Sequence, residues 1–88
     1  MNLNDEQLRM AVFDILKRLA PEIDLARIIS DKPLRKQIDL DSMDWLNVLA
    51  AIDEKLGVNI PETDYGKVVT LDGIIAYLAE KTRQASAG

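Results

Sequence analysis

Asp39-Leu40-Asp41-Ser42-Met43-Asp44-Trp45-Leu46 is the stretch of this 88-residue chain whose residue types and spacing suggest chemistry. It sets a serine hydroxyl among aspartates, at the expected start of an amphipathic helix. A serine is a catalytic nucleophile only when a neighbouring base takes its proton. The chain has no histidine, so the commonest general base is missing and a Ser–His–Asp triad cannot form. It has no cysteine, so no side-chain thiol can act as a nucleophile or carry a thioester. Its glycines do not cluster, which leaves no phosphate-cradling loop. An enzyme would have to run on carboxylates and lysine, with no nucleophile–base pair in evidence, so catalytic and metal-binding residues are not expected. Taken alone, Asp41-Ser42 reads as helix capping, for which both residue types are favoured.

The elements that must position Ser42 follow from apolar spacing and caps. The first helix is expected over Asp5–Ala20, with Asn4 as N-cap and Gln7 three residues on, as in a capping box. Leu8, Val12, Ile15, Leu16 and Leu19 form its apolar stripe, and Pro21 ends it. The connection from Pro21 to about Asp41 carries Ile23, Leu25, Ile28, Ile29, Leu34, Ile38 and Leu40, so it is expected to pack against the body. Ser30-Asp31-Lys32-Pro33 reads as a turn inside it, and the stretch Asp24–Ile29 admits a short helical turn.

The second helix is expected over Ser42–Leu56, with Asp41 as N-cap and Gly57 as a left-handed stop. At steps of about 100° per residue, Trp45, Val48, Leu49, Ile52 and Leu56 share one face, assigned to the core. Met43, Leu46 and Ala50 form a second apolar stripe beside Ser42, flanked by Asp44, Asn47 and Glu54. That stripe is either the centre of a weak interface or a cover for the long loop. Val58-Asn59-Ile60-Pro61 is extended, Glu62 opens a short helix reaching Val68, and Thr70 caps a last helix with the stripe Leu71, Ile74, Ile75 and Leu78. The fold class is therefore all-α: a four-helix bundle, three helices long and one short, with a long first loop. Residues 1–88 make one domain, with an ordered core over about 4–81 and a flexible tail at 83–88.

A formal net charge of -4 disfavours nucleic acid as a partner and favours basic protein surfaces. The first residues lack the basic start and apolar run of a signal peptide, and no apolar run approaches a membrane span. A standalone cytoplasmic monomer is the expectation.

The order of elements, with Asp41-Ser42-Met43 heading the second helix and Gly57-Val58-Asn59-Ile60-Pro61 downstream, resembles the acyl carrier protein (phosphopantetheine-attachment domain) family over roughly Asn4 to Lys81. The resemblance implies an acyl-carrier-like bundle in which Ser42 receives 4′-phosphopantetheine, covalently, from coenzyme A. A phosphopantetheinyl transferase would attach the arm. Acyl-loading and acyl-transferring enzymes of fatty acid, polyketide or related specialised acyl or peptide biosynthesis would then use its thiol as a thioester carrier. The chain would be their substrate and not itself a catalyst. The physics agrees: a chain with no thiol must import one, and a phosphodiester in a helix's first turn gains ~1 kcal/mol or less from the dipole.

The resemblance also implies that the second helix meets basic patches on partner enzymes, through Asp41, Met43, Asp44, Leu46, Asn47, Ala50 and Glu54. Trp45, Leu49, Ile52, Val68 and Ile74 are the implied acyl pocket and core. Two features depart from the family. Trp45 stands where a smaller residue is usual, so the indole, a core residue, is expected to fill part of the cavity and to shelter long saturated chains poorly. The loop carries Arg27, Lys32, Arg35 and Lys36, which fits a dedicated carrier of a specialised pathway. The alternative, from another class, is a small helical protein-binding adaptor that is never phosphopantetheinylated.

Overall fold

Asn4 opens the first helix as its spacing to Gln7 predicts. In the computed structural model, which describes residues 3–87 with side chains through residue 84, the Asn4 side chain accepts the Gln7 N–H at 2.8 Å, and the Gln7 side chain accepts the Asn4 N–H at 3.0 Å. This reciprocal pair satisfies donors that no helical bond can reach. Helix α1 then runs over Asp5–Leu19, ending one residue before the expected Ala20, which is its C-cap. After a 3₁₀ turn at Leu25–Arg27 come α2 (Leu34–Gln37), α3 (Ser42–Leu56), a 3₁₀ segment (Glu62–Lys67) and α4 (Leu71–Ala87). The all-α class and the three long helices are as expected.

The core fills the angle where α1 packs on both α3 and α4. Leu8, Val12 and Leu16 from α1, Val48 and Ile52 from α3, and Ile74 and Leu78 from α4 are completely buried. The Asp14–Lys55 ion pair, at 2.6 Å, joins α1 and α3 on the surface.

The first loop is packed by specific bonds. The Leu34 N–H donates to the Val69 carbonyl and the Asp72 N–H to the Ser30 carbonyl, each at 2.9 Å. Pro33 and Thr70 thereby form an isolated antiparallel bridge, which ties the loop to the start of α4. Gln37 knots the loop on itself: its amide donates to the Ile29 carbonyl at 2.8 Å and accepts the Ile29 N–H at 2.6 Å.

Three details differ from expectation. The short element after Pro61 is 3₁₀ throughout, closed by bonds such as Asp64 N–H to the Pro61 carbonyl at 2.9 Å. The loop gains α2, a single turn with no side-chain cap, whose Leu34 is fully buried. Helix α4 continues to Ala87, through backbone expected to fray from Gln84. Glycine and proline are absent between Lys81 and Ala87, and buried Thr82 donates its hydroxyl to the Leu78 carbonyl at 2.8 Å. Of the tail expected at 83–88, Gly88 lies outside the described residues, as do Met1 and Asn2. Among the described residues no helix is long and apolar enough to cross a membrane.

Two glycines close helix boundaries for different reasons. Gly57 ends α3 at φ 71°, in the left-handed region, with open space where a Cβ would stand. Gly73 has no such φ, but an added Cβ would lie 2.6 Å from the Lys67 carbonyl oxygen, which is backbone and cannot swing aside. Gly57→Ala should therefore destabilise by about 1 kcal/mol through backbone strain, with Gly57→Asn milder. Gly73→Ala should cost more, about 1–3 kcal/mol, because the junction between the 3₁₀ segment and α4 must shift. Denaturant melts of the three variants check the order, and equal losses at both sites would contradict it.

The same junction is pinned by Tyr77, whose hydroxyl donates to Asp64 Oδ2 at 2.6 Å. That bond, with burial, pushes the Tyr77 hydroxyl up from 10.0 to about 12. It also holds the Asp64 carboxyl below its ordinary 3.8, against burial and with help from Lys67. The lowered Asp64 value stabilises the fold above pH 3.8 and is lost as pH falls; the raised Tyr77 value stabilises it below pH 10.0 and is lost as pH rises towards about 12. Tyr77→Phe should flatten both limbs of the stability–pH curve and raise the Asp64 titration midpoint, followed by carboxyl NMR. An unmoved Asp64 midpoint would refute the link.

Candidate functional site

Asp41 builds the head of α3. Its backbone is extended, its Oδ1 accepts the Asp44 N–H at 2.8 Å, and its carbonyl accepts the Trp45 N–H at 2.9 Å. Ser42, the first helical residue, is exposed. The N–H groups of Ser42 and Met43 have no protein acceptor among the described residues. A 15-residue helix directs roughly half a positive charge to this end, so the serine stands where an added anion is favoured.

Two surfaces meet at Ser42. On the outer side, Met43 is 69% and Leu46 49% exposed, with Asn47, Ala50, Asp53 and Glu54 also in solvent and Asp44 half-buried. Leu46 of the apolar stripe also lines a pocket shared with the loop residues Pro33, Arg35, Lys36 and Leu40. Lys55, the lone cation of α3, is drawn towards Asp14 on α1, so it does not neutralise these acids.

On the inner side is a pocket of about 560 Å³, within the usual range for small-ligand sites. Ser42, Trp45 and Leu46 line it from α3; Pro33, Arg35, Lys36 and Leu40 line it from the loop; Tyr65, Val68 and Val69 complete it. Trp45 is both wall and core, with 7% of its surface exposed. The Arg35 guanidinium lies over the indole, 5.9 Å from the ring centroid, in cation–π range. Of the residues linked above to an acyl pocket, Trp45 and Val68 line this one. Leu49, Ile52 and Ile74 are buried beyond it, on later turns of α3 and on α4.

Sequence reasoning did not reach the other walls. Arg35 and Lys36 stood out as basic, yet nothing local said that α2 would turn them towards Ser42. Tyr65 and Val69 carry no sequence signal for this role. Their place depends on the bridge between Pro33 and Thr70.

Such an arrangement fits a phosphorylated tether: an exposed hydroxyl, free helix donors, and a pocket opening beside it. Comparison with known proteins agrees. The sequence model described as "Phosphopantetheine attachment site" matches residues 6–78, from α1 into α4. The chain is 30% identical over 81 residues to the mitochondrial acyl carrier protein of Saccharomyces cerevisiae, covering 89% of this chain and 65% of that protein, so it spans just under two thirds of that relative's length. It is 27% identical over 74 residues to the acyl carrier protein of Helicobacter pylori strain G27, covering 81% of this chain and 95% of the relative. It is 28% identical over 79 residues to the polyketide-8 synthase acyl carrier protein 2 of Streptomyces avermitilis, covering 90% and 85%. A helical bundle with a capped serine at the head of its central helix thus meets a family match over most of its length: the chain belongs to the phosphopantetheine attachment site family, whose acyl carrier proteins carry 4′-phosphopantetheine and act as carriers.

Proposed function

We propose that Ser42 is the attachment residue and that the chain delivers acyl groups, held as thioesters on the arm's thiol, to biosynthetic enzymes. The observation that carries this reading is the exposed Ser42 hydroxyl at the head of α3, beside a pocket, inside the segment that the family model matches. The free N–H groups of the first turn and the helix dipole suit a phosphodiester on Ser42 Oγ. When bound, the arm supplies the thiol that the chain lacks. The protein's own residues anchor its root, shape the pocket and present a face to partners. Family membership gives no support to the adaptor that never gains an arm.

A phosphopantetheinyl transferase and acyl-transferring synthase enzymes are the partners in this reading. They would dock on Met43, Leu46 and Ala50, steered by Asp41, Asp44, Asn47 and Glu54. A small exposed apolar centre inside an acid rim suits fast and reversible association, which a carrier needs at every stop. The polyketide name of one relative makes a specialised acyl pathway as natural a setting as fatty acid synthesis.

Intact mass after incubation with coenzyme A, magnesium and a broad-specificity transferase tests the attachment. The parent should gain one phosphopantetheine and Ser42→Ala none, with stability within about 0.5 kcal/mol because Asp41 still caps the helix. A folded parent that gains nothing, beside a control carrier that loads, would overturn the assignment.

The docking face is tested in the same assay. Glu54→Lys and Leu46→Ala should each raise the transferase KM several-fold, on the order of 1 kcal/mol. Added salt should raise the parent's KM more than that of Glu54→Lys. Values that match the parent at low salt would place the partner surface elsewhere.

A further inference from the structure

The pocket beside Ser42 has an apolar floor and a cationic side. Leu40, Trp45 and Val68 supply the floor, and Arg35 and Lys36 supply the charge. Arg35 is exposed and makes two long contacts: its guanidinium lies over the Trp45 ring at 5.9 Å, and its Nε donates to the Leu40 carbonyl at 3.5 Å. Of the five N–H donors of a guanidinium, the four on the terminal nitrogens have no acceptor among the described residues. Among the described residues neither Arg35 nor Lys36 has a carboxylate within ion-pair distance, whereas Arg27, Lys55 and Lys67 each have one. Two uncompensated cations therefore border a pocket whose rim holds the serine.

We propose that this cationic side recognises an anion brought to the pocket on the arm of Ser42: either the phosphodiester at its root or a carboxylate on its acyl cargo. The inference rests on the reading of Ser42 as the attachment residue. Ser42 and Trp45 are neighbours at i and i+3 on α3, with Cβ atoms about 5–6 Å apart. A guanidinium stacked on that indole stands within reach of both the serine and the pocket interior. Phosphodiester and carboxylate each offer paired oxygens, the geometry that an arginine fork binds in a bidentate way. The apolar floor would take the cargo's hydrocarbon, and a carboxylate at its end would meet the exposed Arg35 and Lys36.

Trp45 is the chain's one tryptophan, so every indole signal reports this pocket. The experiment compares the indole N–H resonance of the unmodified protein, the protein with the bare arm, and the protein carrying butyryl or succinyl. These two cargoes have equal carbon count and differ at the end group. Arg35→Gln, Lys36→Gln and Arg35→Lys are prepared alongside. Mass spectrometry of each sample reads loading independently. A shift on adding the bare arm that vanishes in Arg35→Gln identifies the phosphodiester as the anion. A shift of succinyl against butyryl that vanishes in Arg35→Gln identifies the cargo carboxylate. Partial retention in Arg35→Lys, which keeps the charge without the fork, is expected in either case. Should Arg35→Gln fail to fold, Arg35→Lys and Lys36→Gln must still reduce the shift. A loaded parent with the same indole signal in every state, or a shift that survives all three substitutions, overturns the proposal. A folded parent that gains no mass overturns attachment at Ser42 and takes this inference with it.

Discussion

The bond from the Leu34 N–H to the Val69 carbonyl carries the first loop across the molecule to the start of α4. Leu34 is completely buried, so its N–H cannot turn to water. Left unpaired it would cost about 1–3 kcal/mol. The residue before it is proline, which has no N–H to offer in its place. A lone turn such as α2 is too short to be stable by itself, since helix nucleation is costly. It persists because this bond and the knot made by Gln37 hold its ends. Pro33 and Val69, the two sides of the suture, are both pocket walls. The orientation of Arg35 over Trp45 follows from the same constraint.

Helix α3 serves three surroundings at once. Its inner face, Trp45, Val48, Leu49 and Ile52, is locked into the core. That locking fixes the azimuth of Ser42 and of every outer residue, because a helix cannot rotate one face without the others. The outer face then carries Met43 and Leu46 into solvent at no cost to the core. Two exposed apolar side chains are far short of what a permanent interface buries, and they suit contacts that form and dissolve. Under the proposed reading, a carrier would need this combination: a rigid root for its arm and a face that no partner holds for long.

The long helices were legible because their signals are local. Asn4 with Gln7, Asp41 three residues before Asp44, Gly57, and Thr70 three residues before Gly73 each act within one turn of their own position. The apolar stripes of α1, α3 and α4 point to the core by period alone. What stayed hidden depends on distant partners. Gln37 finds Ile29 across eight residues, and Tyr77 finds Asp64 across thirteen. Whether Glu62–Lys67 would wind as α or 3₁₀, and whether residues 34–37 would turn at all, is settled by packing and not by propensity. Ser42 and two of the pocket's walls, Trp45 and Val68, could be named from sequence, but the loop side of the pocket, which faces α3, could not. Seven of the pocket's ten walls come from outside α3: Pro33, Arg35, Lys36 and Leu40 from the loop, and Tyr65, Val68 and Val69 from the 3₁₀ segment and the turn after it.

A net charge of -4 hides a division of sign around Ser42. In the proposed reading, an anionic tether at its root and basic partners at its face would make opposite demands on one small region. Acids crowded at the serine would repel the tether, and cations spread over α3 would repel the partners. Geometry separates the two in part: Asp41 and Asp44 flank Ser42, whereas Asp53 and Glu54 stand near the other end of α3. Asp53 and Glu54 lie about three turns from Ser42, which at 1.5 Å per residue is roughly two Debye lengths in physiological salt. Lys55, on the far side, is drawn off by Asp14. Asp41, the nearest acid in sequence, turns one carboxylate oxygen back to the Asp44 N–H. Arg35 and Lys36 enter from another segment, across the pocket, where they can offset negative charge at the root without masking the outer acids. In the proposed reading, the outer acids would attract basic partners while the helix head and the two cations offset negative charge at the serine.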